Sequence, residues 1–430
     1  MSGLGLTDPE LTPDERAMLH GDAGPAAAFA LGLVVRLGRI LGARSLIPVR
    51  SAHIDGCLYH GQAGIDFVER LLSLGGRVSV PTTLNVGSID LVHPALTPGP
   101  DEHRAGALRL MQDYELLGAE PTWTCAPYQI SRRPAFGEHV AWAESNAIVF
   151  VNSVLGARTD RYGDFLDVCS AITGRAPYAG YHLTDGRRGE IVLDCSGVPA
   201  DVLSHDAAWG ALGHLAGRRA GDSVPVIAGI TAEVTEDCLK ALGAAAASSG
   251  GVGLFHMVGV TPEAPTLEAA LQQQPPRQVV PVSVADLCDA RDELSTVAGG
   301  RIDAVSVGTP HFSVTEFAQL AAMLGDGGPI CEDVEFWVST SRAVLAEADR
   351  LGTAEICRRA GARILVDTCT YLSSALRPGI GVVMTNSAKW AWYAPANIGV
   401  GVVYGTIMDC VASARSGHVV RDEISWGGEL

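Results

Sequence analysis

Ile364-Leu365-Val366-Asp367-Thr368-Cys369-Thr370-Tyr371 begins as a short apolar run and ends in polar residues around a thiol. The apolar part is too short for a helix, so it reads as a buried strand with a loop at its carboxyl end. The same pattern recurs at 224–230, 252–260, 304–307 and 381–384, where apolar runs, mostly rich in β-branched residues, lead into polar loops or helix-start signals. Ser283 with Asp286 and Ser313 with Glu316 are capping-box pairs that open helices within the series. This alternation predicts an α/β fold of several units with mostly parallel sheets. Ligands of such sheets bind beyond the carboxyl ends of the strands, and His256, His311, Cys369 and Lys389 fall in or just after those runs.

Toward the amino terminus, Thr12-Pro13-Asp14-Glu15 combines an N-cap, a proline suited to the first helical position and a box-closing glutamate. Helices are expected over 24–41, 64–74 and 101–117, and a strand over 77–80. Polar or irregular stretches are expected over 51–61, 81–87 and 122–128. A chain of 430 residues is too long for one small core. Two or three packed subdomains are expected over 1–430, with internal boundaries near 161–177 and 272–276.

Composition excludes several function classes. The net charge is −17 with no Lys/Arg run, whereas a phosphate-backbone binder carries a basic patch; no nucleic-acid partner is expected. No uninterrupted apolar run reaches about 18 residues, and residues 1–15 lack a basic-then-apolar leader. The expectation is a soluble cytoplasmic protein with no membrane partner. Ten cysteines in such a setting are not a disulfide framework, and none forms the Cys-x-x-Cys spacing of zinc ribbons. Glycine-rich phosphate loops, Gly-x-Ser-x-Gly elbows and His-Glu-x-x-His helices are also absent.

Five stretches hold chemistry-bearing residues. His53-Ile54-Asp55-Gly56-Cys57 brings an imidazole, a carboxylate and a thiol together, as metal ligands or acid–base groups; the alternative is a satisfied polar loop. Cys125 precedes Pro127, which blocks regular structure and fixes the loop. Gly308-Thr309-Pro310-His311-Phe312-Ser313 feeds a helix start, which favours anions, although Ser313 also serves as a plain cap. Cys369 sits at a strand's carboxyl end. Lys389, among the aromatic residues of 385–393, suits a carboxylate partner; the alternative is a snorkelling surface lysine. For Cys57, Cys125 and Cys369 the alternative is a small buried hydrophobe.

Together with their surroundings, these stretches resemble the aconitase X family. The matching text is SAHIDGCLYHG (51–61), VPTTLNVGSIDL (80–91), TWTCAPYQ (122–129), AWAESNAIVFVNSVLGARTDR (141–161), LFHMVGVTPEAPT (254–266), GTPHFSVTEF (308–317), VDTCTYL (366–372) and TNSAKWAWYAP (385–395), in family order. The resemblance implies an aconitase-type catalytic core and a hydro-lyase that eliminates water from a small hydroxy-carboxylate. The expected substrate is cis-3-hydroxy-L-proline, giving Δ1-pyrroline-2-carboxylate; the alternative is another hydroxy acid such as mevalonate 5-phosphate. It further implies an iron–sulfur cluster, [2Fe-2S] or [4Fe-4S], as Lewis acid. The archaeal type carries a cysteine where this chain has Thr309, so Cys57 is expected to join Cys125 and Cys369 as metal ligands. His53, Asp55, His311, Ser313 and Lys389 are the expected catalytic residues. Thr83, Asn85, Glu144, Asn146, Arg158 and Ser387 are the expected substrate-binding residues. The swivelling domain of aconitase-type enzymes is expected on a separate small subunit. From other classes, a non-catalytic binding subunit and a metal-free thiol enzyme built on Cys57 and His53 are the competing readings.

Overall fold

The computed structural model describes residues 7–130, 133–325 and 327–422. Its larger sheets are parallel and belong to successive parts of the chain. The first has three strands, with Ala52–Ile54 between Thr82–Leu84 and Ala141–Trp142. The second has four, ordered His256–Met257, Pro225–Ala228, Ile191–Asp194, Gln278–Pro281. The third has five, ordered Ala362–Leu365, Glu335–Thr340, Ala304–Phe312, Val382–Thr385, Gly401–Tyr404. The fold is therefore α/β with mostly parallel sheets. A two-stranded antiparallel pair, Leu46–Pro48 with Arg175–Pro177, accompanies the first unit.

Capping text translates directly into helices. Thr12 and Glu15 bond reciprocally at the start of Pro13–His20, and Ser283 and Asp286 do so at Val284–Glu293. Helices Pro25–Ile40, Gln62–Ser73 and Asp101–Leu116 lie close to their expected spans.

Three expectations need correction. The strand expected over 77–80 falls instead on Thr82–Leu84, because register with Ala52–Ile54 selects those residues for pairing. The boundary near 161–177 lies inside the first unit, since Arg175–Pro177 pairs with Leu46–Pro48 and helix Leu166–Thr173 packs on Pro25–Ile40. The one near 272–276 precedes Gln278–Pro281, which is still an edge strand of the second sheet.

Helix Glu236–Ser249 ties the units together. It packs on Asp206–Ala220 of its own unit, on Ser145–Ser153 of the first and on Ala388–Ile398 of the third. Small residues allow the closest of these approaches: a Cβ on Gly213 would stand 2.2 Å from the Leu242 carbonyl oxygen. No single helix among the described residues is long and apolar enough to cross a membrane.

Candidate active site

The loops after strands of the first and third sheets converge. Asp55 follows Ala52–Ile54, Asn85 follows Thr82–Leu84, and Glu144 follows Ala141–Trp142. From the third unit come Cys369, just after Ala362–Leu365, and Lys389, in the first turn of Ala388–Ile398. These residues and Cys125 line one cavity of about 120 Å³. A larger cavity of about 710 Å³ lies between the second and third units and shares Thr309 and Lys389 with it.

At one end, the ligand atoms of Cys125, His311 and Cys369 lie within 4.8 Å of one another, all buried. Asn146 anchors the Cys125 loop by donating to the Cys125 carbonyl at 3.0 Å and to Tyr128 Oη at 2.8 Å. His311 is on strand Ala304–Phe312, but pairing with Glu335–Thr340 lapses between Val307 and Phe312. Its N–H donates to Cys125 Sγ at 3.3 Å. Its Nδ1 lies 3.0 Å from Thr124 Oγ1, and its Nε2 lies 3.3 Å from the Thr368 carbonyl oxygen. The Cys369 loop is tied to the first unit by Gly87 N–H to the Asp367 carbonyl at 2.8 Å and by Val366 N–H to Asp90 at 3.1 Å. The hydrogen bond from Cys125 holds the Cys369 thiol well below its ordinary range, against the burial that opposes ionisation; His311 and Thr309 add to the effect. Burial pushes Cys125 the other way. Ionisation within the pair is thus directed to Cys369, and the thiolate is the form that binds metal.

The rest of the cavity is charged. Lys389 Nζ is paired with Glu144 and lies 3.4 Å from Ser145 Oγ. Glu144 caps helix Ser145–Ser153 by accepting from Ala147 N–H at 2.7 Å. Burial raises the Glu144 pKa, but Lys389 and the N–H groups of Ala147 and Asn146 together outweigh it and the net direction is down. Asp55 accepts a hydrogen bond from Asn85. Burial first, and then the carboxylates of Glu144, Asp164 and Asp167, push Asp55 up to about 8. His53, buried with Nδ1 2.8 Å from Thr83 Oγ1, is lowered by burial to about 4 and stays neutral at neutral pH.

Several expected site residues lie elsewhere. Cys57 is the main correction: the chain turns back after Ile54, the thiol donates to the Ile54 carbonyl at 3.6 Å, and the side chain is packed in the core of the first unit. His311 occupies the third place beside Cys125 and Cys369. Ser313 caps its helix reciprocally with Glu316 and donates to Asp237 at 2.9 Å. Arg158 donates to the His182 carbonyl at 3.0 Å and lines neither cavity. Thr83, Asn146 and Ser387 act by holding others, Ser387 by donating to the Thr309 carbonyl and capping Trp390 N–H at 3.0 Å. The expectation omitted Tyr371, Tyr393 and Ser145, which also line the small cavity. Their signal was adjacency: Tyr371 follows Cys369 by two positions, Tyr393 follows Lys389 by one helical turn, and Ser145 follows Glu144.

Family models match in three consecutive blocks: aconitase X first domain over residues 8–185, second domain over 189–292 and third domain over 302–416. The chain belongs to the aconitase X family. It is 41% identical over 98% of its length to a cis-3-hydroxy-L-proline dehydratase of Pseudomonas aeruginosa, of which it covers 72%. It is 36% identical over 96% of its length to the phosphomevalonate dehydratase large subunit of Methanothermobacter thermautotrophicus, of which it covers 100%. The crystal structure of Thermococcus kodakaraensis aconitase X in its holo-form superposes with a TM-score of 0.84 at 33% identity, covering 94% of this chain and 100% of that one. As a member of the family this chain is a dehydratase, a carbon–oxygen hydro-lyase.

Proposed function

We propose that this member of the family dehydrates cis-3-hydroxy-L-proline to Δ1-pyrroline-2-carboxylate. In this reading an iron–sulfur group is held by Cys125, Cys369 and His311, and a separate small swivelling-domain subunit completes the site. The observation that carries the reading is the convergence of that triplet with Asp55, Glu144 and Lys389 around one small cavity. Two thiols and an imidazole, buried and close together, are a fitting donor set for iron. Bound there, the group supplies a Lewis acid for the departing 3-hydroxyl.

The protein's own residues account for the remaining steps. Lys389 and Ser145 hold the substrate carboxylate. Asp55, raised to about 8, is poised near neutral pH as the base that takes the proton from C2. Loss of that proton and of the 3-hydroxyl as water leaves a ring enamine. Moving the nitrogen-bound proton to C3 then gives the cyclic imine.

Charge favours a ring amine over a phosphate. Lys389 is the cation lining the small cavity and is already matched by Glu144, whereas Asp55 has no ion pair among the described residues. A secondary ammonium suits Asp55; a phosphomonoester brings about two further negative charges. Support for the partner comes from the match to the full length of a protein named a large subunit.

The test is anaerobic co-expression with the small subunit, followed by assay on cis-3-hydroxy-L-proline and on mevalonate 5-phosphate. Formation of the imine from the former is expected. Turnover of the phosphate alone, or of neither by iron-loaded protein, overturns the substrate assignment.

A further inference from the structure

Lys240 stands out in helix Glu236–Ser249, whose other inward positions are Leu, Gly and Ala. Its side chain is 2% exposed. Burying an ammonium costs desolvation that ion pairing barely recovers, and an apolar residue of similar size serves stability equally well. The charge therefore calls for a second role.

Its contacts supply one. Lys240 Nζ is paired with Glu316, lies 3.0 Å from Asp237 Oδ1 and donates to the His311 carbonyl at 3.4 Å. The same carboxylates hold the next turn of chain: Glu316 accepts from Ser313 N–H at 2.8 Å, and Asp237 accepts from Ser313 Oγ at 2.9 Å. The segment needs this support because the sheet ladder lapses between Val307 and Phe312. At residue 311 the N–H meets a sulfur of the first unit, the carbonyl meets an ammonium of the second, and the imidazole lies between Thr124 and Thr368.

We infer that Lys240 is a positioning residue: it clamps the His311 backbone from the second unit and so sets where the imidazole stands relative to Cys125 and Cys369. The inference rests on the reading that these three residues hold the iron–sulfur group. The donor geometry then depends on a residue that lines the larger cavity and not the small one that Cys125 and Cys369 line.

The experiment uses the complex purified anaerobically with its partner subunit, and measures the rate of iron loss to a chelator and the visible circular dichroism. Three variants are compared: Lys240→Met, Lys240→Met with Glu316→Gln, and His311→Ala. The double variant removes the Lys240–Glu316 pair together and leaves only Asp237, whose side chain is 26% exposed and reaches water, so folding is preserved. Expected are iron loss about tenfold faster in both Lys240 variants, the usual effect of removing a partner behind a metal ligand, a changed visible spectrum, and an unaltered unfolding temperature in the double variant. Overturning results are a double variant that releases iron at the parent rate while His311→Ala releases it fast, or one that melts earlier with release below the transition unchanged. If His311→Ala keeps its iron like the parent, the ligand reading fails, and the Lys240 role fails with it.

Discussion

Lys389 of the third unit and Glu144 of the first form a buried ion pair across the candidate site, with side chains 6% and 4% exposed. Each is fixed by its own helix start, Lys389 just inside the helix that Ser387 caps and Glu144 as the N-cap itself. The pair therefore sets the distance between the two loops that face the cavity.

Breaking it from one side leaves an uncompensated buried charge. Lys389→Met is expected to cost about 3–5 kcal/mol in urea unfolding and to abolish turnover. Lys389→Met with Glu144→Gln is expected to recover part of the stability but none of the activity. A double variant no more stable than the single one would show that the charges are not coupled.

The three cysteines separate by location. Cys125→Ser and Cys369→Ser are expected to lose most of the bound iron and sulfide, because their thiols face each other and His311. Cys57→Ser is expected to keep its iron, since that thiol is packed in the core of the first unit. Iron and sulfide quantification after anaerobic purification decides it; loss from Cys57→Ser equal to that from Cys369→Ser would restore Cys57 as a ligand.

In the proposed reaction Asp55 serves as a base only when ionised, and burial with the neighbouring carboxylates pushes it up to about 8. The kcat/KM for hydroxyproline is therefore expected to rise with pH and level off above about 8. Asp55→Asn is expected to reduce kcat by about 10²–10⁴-fold. A profile flat from pH 6 to 9 would remove Asp55 from the proton-transfer step.

Stability carries its own pH signature. Burial raises Asp167 from the ordinary 3.8 to about 7, so the native state keeps a proton that the unfolded chain has released, and stability falls as pH rises from about 4 through 7. Asp55 and Glu316, raised to about 8 and about 7, act in the same direction. His53, lowered from 6.5 to about 4, opposes them only below pH 6.5. Urea unfolding is expected to show stability declining from pH 6.5 to 8, with a smaller slope in Asp167→Asn. An unchanged slope in that variant would show that Asp167 does not titrate in this window.

Gly308 permits the turn that presents His311. Its φ is +88°, and an added Cβ would stand 2.1 Å from the Ser339 carbonyl oxygen. Gly308→Ala is expected to destabilise the fold by at least about 1–3 kcal/mol and to weaken iron retention, read by thermal unfolding and iron analysis. Parent-like values for both would mean the loop shifts freely.

Much of the fold was legible locally. Strand–loop–helix rhythm and capping boxes are short-range signals, so Thr12/Glu15, Ser283/Asp286 and Ser313/Glu316 could be read from three-residue spacings. Strand assignment failed at 77–80 because which residues pair is settled by register with Ala52–Ile54, thirty residues earlier in the chain, and periodicity does not carry that context. The same limit misplaced the unit boundaries, since Arg175–Pro177 belongs to whatever Leu46–Pro48 pairs with.

The sequence by itself determined the α/β class, the position of Cys369 and Lys389 past strand ends, and the candidate residues Asp55, Cys125, Glu144 and His311. The tertiary structure decided which of them meet. Cys57 is two residues from Asp55, yet a single turn sends its thiol into the core and leaves the carboxylate at the cavity. His311 and Cys125 are far apart in the chain and 3.3 Å apart in space, from the His311 amide nitrogen to the sulfur. Lys240 was silent between Leu239 and Ala241 until helix packing placed it under His311. Side-chain chemistry is written residue by residue, but convergence depends on how the sheets and helices of three units pack, and no local signal encodes that.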